Sequence, residues 1–489
     1  MSGAFTAAHA GDSTGLVHSD IPARLDRLPW SAWHWRVVLA LGTAWVLDGL
    51  EVTLVGSLGG VLERSDTLGL SASQIGLAGS LYVGGAVLGA LLFGRMADRW
   101  GRKRLFMITL AIYAAATFAT AFSPGFAFFA VCRFITGLGI GGEYAAINST
   151  IDELVPARVR GRVSLAINGS FWLGAALGAG LSLLLLDPAV LGPVWGWRAG
   201  FALGALLALA IVLVRRHVPE SPRWLLMHGR AQEAERIVSA IEAEVARQRG
   251  PLPPPAGRLS LQSRAAPSAR ELVQVLLRRY RQRSAVALAL MLSQAFFYNA
   301  IFFTYALVLT RFHGVPDAKV ALYIFPFALG NVLGPLLLGP LFDRVGRRRM
   351  IALTYVGAGI GLGLTGWAFM AGLLDARSQA LAWSAVFFLA SAAASSAYLT
   401  VSEVFPLEMR ALAISLFYAV GTGAGGFAAP WLFGALIETG SRGAVAVGYA
   451  IGAALVIVAG LLALRFAVNA ERRALEDIAP PLGTPPPRS

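Results

Sequence analysis

The run Gly94-Arg95-Met96-Ala97-Asp98-Arg99-Trp100-Gly101-Arg102-Lys103 returns as Gly339-Pro340-Leu341-Phe342-Asp343-Arg344-Val345-Gly346-Arg347-Arg348, with glycines, acid and cations at the same spacing 245 residues further on. A second mark follows each copy: Glu153, Pro156 and Arg160 recur as Glu403, Pro406 and Arg410 at an offset of 250. Two independent motifs at nearly one offset imply a chain made of two like halves. Each motif follows a long apolar stretch, so the repeated unit is a set of apolar helices with the motifs in short connections between them.

The composition agrees. Of 489 residues, 56% are hydrophobic and 14% charged, with a mean hydropathy of +0.64, too apolar for a chain with a conventional wet surface. A hydrocarbon core of about 30 Å needs about 20 apolar residues as helix. Twelve stretches meet that need, six from 35–57 to 195–214 and six from 285–310 to 444–466. The expected fold is an all-α membrane protein of twelve transmembrane helices in two six-helix halves, 35–214 and 285–466. A tail (1–34), a linker (215–284) with an amphipathic helix from Ala231 to Arg247, and a second tail (467–489) complete the expected organisation. The linker's Pro-rich and Ser/Arg-rich stretches suggest little packed core of its own.

The formal charge of +14 raises nucleic-acid binding, but its placement argues for topology. Of the 41 Lys and Arg, 34 lie in the tails and even-numbered connections, six in the odd-numbered ones, and one, Arg133, inside a span. By the positive-inside bias both termini face the cytoplasm of a plasma or inner membrane. Lys103 and Lys319 are the only lysines, and neither follows the spacing of a phosphate-binding loop. The first 34 residues show no short apolar core before a cleavage site, so the first span is expected to act as the insertion signal. The single cysteine, Cys132, supplies neither disulfide nor thiolate cluster. Neither metal nor cofactor is expected. The expected partners are a small-molecule solute, protons and the lipid bilayer, with the chain a monomer.

On the duplicated motif the chain resembles the major facilitator superfamily. Pro219-Glu220-Ser221-Pro222-Arg223-Trp224-Leu225 after the sixth span, with Gln294 and Asn299 in the seventh, is similar to the sugar-porter branch. The tenth span, with Ala394-Ser395-Ser396-Ala397-Tyr398, lacks the Gly-Pro-Trp sugar-contact pattern. Asp48-Gly49-Leu50-Glu51 resembles the first-span motif of aromatic-acid/proton symporters. Gly139-Ile140-Gly141-Gly142-Glu143 looks like niacin porters, synaptic-vesicle-glycoprotein-like carriers and metabolite/proton symporters. The resemblance implies a proton-coupled symporter working by alternating access, with an organic, aromatic or pyridine-type carboxylate ahead of a sugar. A facilitator, a drug exporter and a transporter-like receptor are its rivals. It also implies that Gly94, Asp98, Arg99, Gly101, Arg102, Asp343, Arg344, Gly346, Arg347, Glu153, Arg160, Glu403 and Arg410 form a cytoplasmic gate. Asp98 and Asp343 are expected to accept backbone N–H groups at the start of the next helix, and the arginines to meet headgroups or helix carbonyl ends.

Ionisable side chains in hydrocarbon cost roughly 2.5 to 3.5 kcal/mol each on insertion scales, so those present need a partner or a task. Four fall inside spans: Asp48, Glu51, Arg133 and Glu143. Asp48 and Glu51 are three apart and share a helix face, where two carboxylates do not both ionise cheaply. None of the six histidines lies well inside a span, which leaves a carboxylate as proton carrier. Asp48 or Glu51 is expected to exchange a proton against an ion pair with Arg133, with Glu143 as a second relay. Arg133 is also the expected partner of an anionic solute. A solute cavity is expected at the midplane between the halves. Its candidate contacts are Trp172, Gln294, Tyr298, Asn299, Asn331 and Tyr398, with Asn168, Tyr305, Phe417 and Tyr418 also of suitable character. Glycine runs at Gly137–Gly142 and Gly421–Gly426 lie in apolar spans and read as helix-packing faces rather than dinucleotide loops.

Overall fold

The computed structural model describes residues 16–480 apart from 63, 71, 188, 216–218, 256–258, 263–268, 303, 316–320 and 407–408. Among the described residues the first six membrane-length helices are α1 (Ala32–Ser57), α2 (Ala72–Trp100), α3 (Arg102–Thr120), α4 (Phe126–Leu154), α5 (Arg160–Leu185) and α6 (Gly192–Arg215). The second six are α7 (Arg281–Phe302, resumed by Tyr305–His313), α8 (Ile324–Arg344), α9 (Arg347–Met370), α10 (Ala376–Val404), α11 (Arg410–Gly421, resumed by Phe427–Glu438) and α12 (Arg442–Phe466). Ten of these are long and apolar enough to cross a membrane. The remaining two, α3 and α6, complete the twelve: α3 opens on three consecutive cations, and α6 carries a shorter apolar stretch, Val194–Leu209.

The repeat governs packing as well as sequence. Within the first half α2 packs on α4, α1 on α5 and α3 on α6; in the second half α8 packs on α10, α7 on α11 and α9 on α12. Across the halves α2 meets α11 and α5 meets α8. Glycine makes the closest of these approaches. A Cβ on Gly85 would stand 2.1 Å from the Phe134 carbonyl oxygen, and one on Gly141 1.9 Å from that of Ala86. Gly85 and Gly89 have counterparts 245 residues on: Gly330 and Gly334 repeat the contact against the α10 backbone, with a Cβ on Gly334 falling 1.9 Å from the Phe388 oxygen. The backbones touch, and a side chain of any size would force them apart.

Two helices are interrupted where they face the middle of the bundle. α7 is interrupted at Thr304, and α11 contains one π-helical turn, Thr422–Gly426, in the glycine-rich run. Such a turn widens the helix locally and redirects a side chain, here Thr422, toward the centre.

One end of the bundle carries both described termini, the four repeated motifs and the 6–7 linker; it is called the basic end below. The linker helix runs Ala231–Arg249 and is not without a core, contrary to the expectation from its Pro- and Ser/Arg-rich neighbours. Its Ala234, Val238, Ile241 and Val245 are buried with Trp224, Leu225 and Met227 of a short helix, Pro222–Met227, and with Ile21, Leu25 and Leu28 before α1. The period of those four residues is that of one helix face, and the face is covered by segments from both sides of the first half in sequence. A two-stranded antiparallel ribbon, β1 (Leu16–Ser19) with β2 (Leu259–Gln262), lies beyond it.

Gly141→Leu is expected to lower the melting temperature in detergent and the yield of monodisperse protein, since over-packing costs about 1–3 kcal/mol even where side chains can yield. Gly180→Leu, where a Cβ meets nothing within 4 Å, is expected to melt like the parent.

Candidate functional site

Between the halves lies a cavity of about 220 Å³. Pockets for drug-sized ligands run about 300–1,000 Å³, so this one suits a solute of about one ring. Trp45, Asp48 and Val52 of α1, Tyr82 of α2 and Asn168, Phe171 and Trp172 of α5 form one wall. Gln294, Tyr298, Asn299 and Phe302 of α7, Ser391, Ser395 and Tyr398 of α10, and Tyr418 and Thr422 of α11 form the other. Rings dominate both: Trp172 lies 5.8 Å from Tyr298 and 5.4 Å from Phe302, and Tyr398 stands 6.0 Å from Trp45. Among the described lining residues Asp48 is the only Asp, Glu, Lys, Arg or His.

Five of the six solute candidates named from sequence, Trp172, Gln294, Tyr298, Asn299 and Tyr398, border this space. Asn331 does not. It is fully buried in α8, where its Oδ1 accepts from the Tyr298 hydroxyl at 2.7 Å and its backbone oxygen accepts from Ser391 Oγ at 2.6 Å. Its amide is spent behind the wall, so Asn331 orients Tyr298 rather than meeting a solute. Asn168 and Tyr418 line the cavity; Tyr305 faces a separate small gap, and Phe417 stacks on Phe405. Trp45, Phe171, Phe302 and Thr422 join Asn168 and Tyr418 in the lining. Aromatic residues in apolar spans carry no mark in sequence that separates packing from lining.

The intramembrane charges divide into two systems. Arg133 of α4 is ion-paired with Glu51, both fully buried, and is not among the lining residues. The expectation that Arg133 meets an anionic solute therefore fails in this structure, because the guanidinium is engaged behind the wall. Asp48 instead faces the cavity and accepts from the Tyr82 hydroxyl at 3.1 Å. Tyr82 carries the Arg133 guanidinium over its ring, 4.6 Å from the centroid. Glu143 is buried and shares a narrow gap with Asp48, Tyr113 and Ile140.

At the basic end, each half joins its two motifs by an arginine–glutamate pair. Arg102 meets Glu153 at 3.2 Å, and Arg347 meets Glu403 with Nε and Nη2 at 2.9 and 3.0 Å. Gly101 and Gly346, at φ of 92° and 114°, turn the chain into α3 and α9 through a region that L side chains avoid. The start of each helix is then met by a glutamate not expected there. Glu220 accepts from the Arg102 N–H at 2.9 Å, and Glu471 accepts from the Arg347 N–H at 3.3 Å. A carboxylate at a helix start satisfies otherwise orphaned donors and the helix dipole. Glu220 and Glu471 are 251 residues apart, a third repeat that a motif search anchored on arginine and glycine passes over.

Asp343 corrects the capping expectation. It does not cap the next helix but accepts from Gly161 N at 3.1 Å and Arg162 N at 2.8 Å, at the start of α5 in the other half, while its Oδ1 also pairs with Arg347 at 2.8 Å. Arg160 reaches across as well, 3.8 Å from Glu403. Asp26, from before α1, stands 3.6 Å from Arg160 and 3.7 Å from Arg223. Arg223 also donates to Glu476 at 2.8 Å. Arg410 is buried and donates to the Phe405 carbonyl at 3.4 Å. Gly94 is buried near the end of α2. Arg99 and Arg344 stay on the surface, outside this web, and the side chain of Asp98 lies outside the described residues.

Two repeated six-helix units, a cavity between them and an ionic web across one end define a multi-pass membrane transporter of the major facilitator superfamily. Within it, the chain belongs to the sugar (and other) transporter family, whose model matches residues 53–481. It is 29% identical over 413 residues to the niacin transporter NiaP of Acinetobacter baylyi, covering 84% of this chain and 89% of that protein. It is 27% identical over 425 residues to the 4-hydroxybenzoate transporter PcaK of Pseudomonas aeruginosa, covering 86% and 90%. The proton:xylose symporter XylE bound to 6-bromo-6-deoxy-D-glucose superposes with a TM-score of 0.73 at 19% identity, over 91% of this chain and 98% of that one.

Glu476 gives the web a pH signature. Burial pushes its carboxyl up, but the Arg223 charge, a backbone N–H and the Arg410 charge together outweigh burial and hold it below the ordinary 4.5. A depressed folded value means that its stabilisation is fully present above about 4.5 and is lost as pH falls through the folded value. The melting temperature should accordingly fall below pH 4.5. Glu476→Gln should lower it at pH 7, where breaking a buried pair costs about 3–5 kcal/mol, and should flatten the acid-side decline.

Proposed function

We propose that this transporter is a proton-coupled symporter of a small planar organic acid, an aromatic or pyridine-type carboxylate, and that its basic end is the cytoplasmic face. The observation that carries this reading is Asp48, an acid set in an aromatic cavity the size of one ring. A carboxylate entering beside an ionised Asp48 meets like-charge repulsion in a medium of low dielectric. The repulsion disappears when Asp48 carries a proton, so anion and proton enter together. Rings on both walls stack on a planar solute, while Gln294, Asn299 and Tyr398 offer neutral hydrogen-bond donors to its carboxylate. The niacin and 4-hydroxybenzoate carriers among the relatives support the solute class.

The web at the basic end holds the halves together there, as a closed gate would. Opening that side separates Asp343 from the start of α5 and Arg160 from Glu403, and both contacts join one half to the other. Glu51 and Arg133 remain within one half and are available as the second station for the proton, with Glu143 beyond Asp48.

A second reading, an organic cation as solute, is favoured by the same acid among aromatic walls with no cationic side chain among the described lining residues. Uptake of nicotinate, 4-hydroxybenzoate, xylose and a quaternary ammonium into proteoliposomes, with and without an inward proton gradient, separates the readings. Gradient-driven accumulation of the two acids is expected. Accumulation of the ammonium or the sugar alone would overturn the proposal. Asp48→Asn and Glu51→Gln should each abolish uphill uptake while exchange down the solute's own gradient persists; uphill uptake in both variants would remove the carboxylates from the coupling role.

A further inference from the structure

Tyr82 stands between the two charge systems of the first half. Its hydroxyl donates to Asp48 in the cavity wall at 3.1 Å, and its ring lies 4.6 Å under the Arg133 guanidinium, which is ion-paired with Glu51. The residue is fixed in place by backbone contact, since a Cβ on Gly137 of α4 would stand 2.0 Å from the Tyr82 carbonyl oxygen. One side chain on a fixed stretch of backbone therefore touches the cavity acid with its oxygen and the buried cation with its π face.

We infer that Tyr82 is the positioning residue through which the cavity and the Glu51–Arg133 pair sense each other, setting the pH at which solute is accepted. This rests on the proton-coupled reading above. While Asp48 is ionised, the hydroxyl holds a charge-assisted bond to it, and the ring is locked where Arg133 sits over its face. When Asp48 takes a proton that bond weakens, the ring gains freedom to tilt, and Arg133 loses part of what holds it beside Glu51. Proton arrival in the cavity is thereby felt at the buried pair without Arg133 entering the cavity. Other ionisable groups face this pair of residues: Glu51 from α1, Tyr113 from α3, Arg133 and Glu143 from α4, Tyr398 from α10 and Tyr418 from α11. Tyr82 itself is seen in contact with both Asp48 and Arg133.

Tyr82→Phe keeps the ring and removes the donor. In proteoliposomes taking up radiolabelled 4-hydroxybenzoate, the pH of half-maximal uptake should move up by about one unit, a tenfold change in proton concentration, because an ionised Asp48 loses a donor that favours it. A 3-fluorotyrosine placed at position 82 keeps the shape and strengthens the donor, so it should move the half-point the other way; it decides the question if Tyr82→Phe fails to fold. In an Asp48→Asn background, Tyr82→Phe should leave the KM of counterflow where Asp48→Asn alone puts it, whereas a role in packing alone would change both backgrounds alike. An unmoved half-point in both position-82 variants overturns this inference while leaving proton coupling intact. A parent protein without gradient-driven uptake overturns the coupling reading itself.

Discussion

A guanidinium keeps its charge at every accessible pH, so an arginine buried in an apolar bundle must be met by carboxylates or carbonyls wherever it sits. Most of what is specific in this molecule follows from that constraint. Arg102, Arg133, Arg160, Arg223, Arg347 and Arg410 are all buried; the first five stand within ion-pair distance of an acid, and Arg410 donates to the Phe405 carbonyl. Removing one partner would leave the other charged and stranded, at about 3–5 kcal/mol. The pairs that cross between the halves can be undone only by moving the halves, which makes the same constraint a stabiliser of one conformation and a barrier to the next.

The fold was legible because lipid and repetition both write strongly into sequence. Apolar stretches of membrane length, the duplicated glycine-acid-arginine motif and the skewed placement of arginine each point to the same architecture. The helix-packing role of Gly137 and Gly141 was legible too, since no phosphate loop sits within an apolar span. Partner choice was harder. Nothing local tells that Asp343 reaches α5 in the other half rather than the helix it precedes, or that Glu51 rather than Asp48 takes Arg133. Those outcomes are set by how rigid helices cross, and a three-residue spacing puts both carboxylates on one face without saying which one points at α4. Asn331 shows the same limit: an amide in a span could line a cavity or brace a neighbour, and here it braces Tyr298.

The halves are alike in their scaffolding and unlike in their chemistry. Both use glycine to bring α2 onto α4 and α8 onto α10, both join Arg to Glu between motifs, and both meet the start of a helix with a glutamate from the chain beyond the sixth pass. The cavity breaks the symmetry. The first half contributes the acid, with the ion pair in support behind it, and the second contributes amides, hydroxyls and rings on helices that are interrupted near the cavity. In the proposed symport, charge that can change lies on one side of the solute and neutral recognition on the other, so a single proton would alter what the cavity accepts without rebuilding its shape.

That division is the centre of the account, and it can be read without a membrane. Purified protein in weakly buffered detergent solution near neutral pH, titrated with 4-hydroxybenzoate or nicotinate while a pH indicator is followed, should take up about one proton for each acid anion bound, because Asp48 accepts a proton as the anion enters. Saturable binding of either anion with no change in bulk pH would show that the cavity holds solute without charging the carboxylate, and would contradict the account.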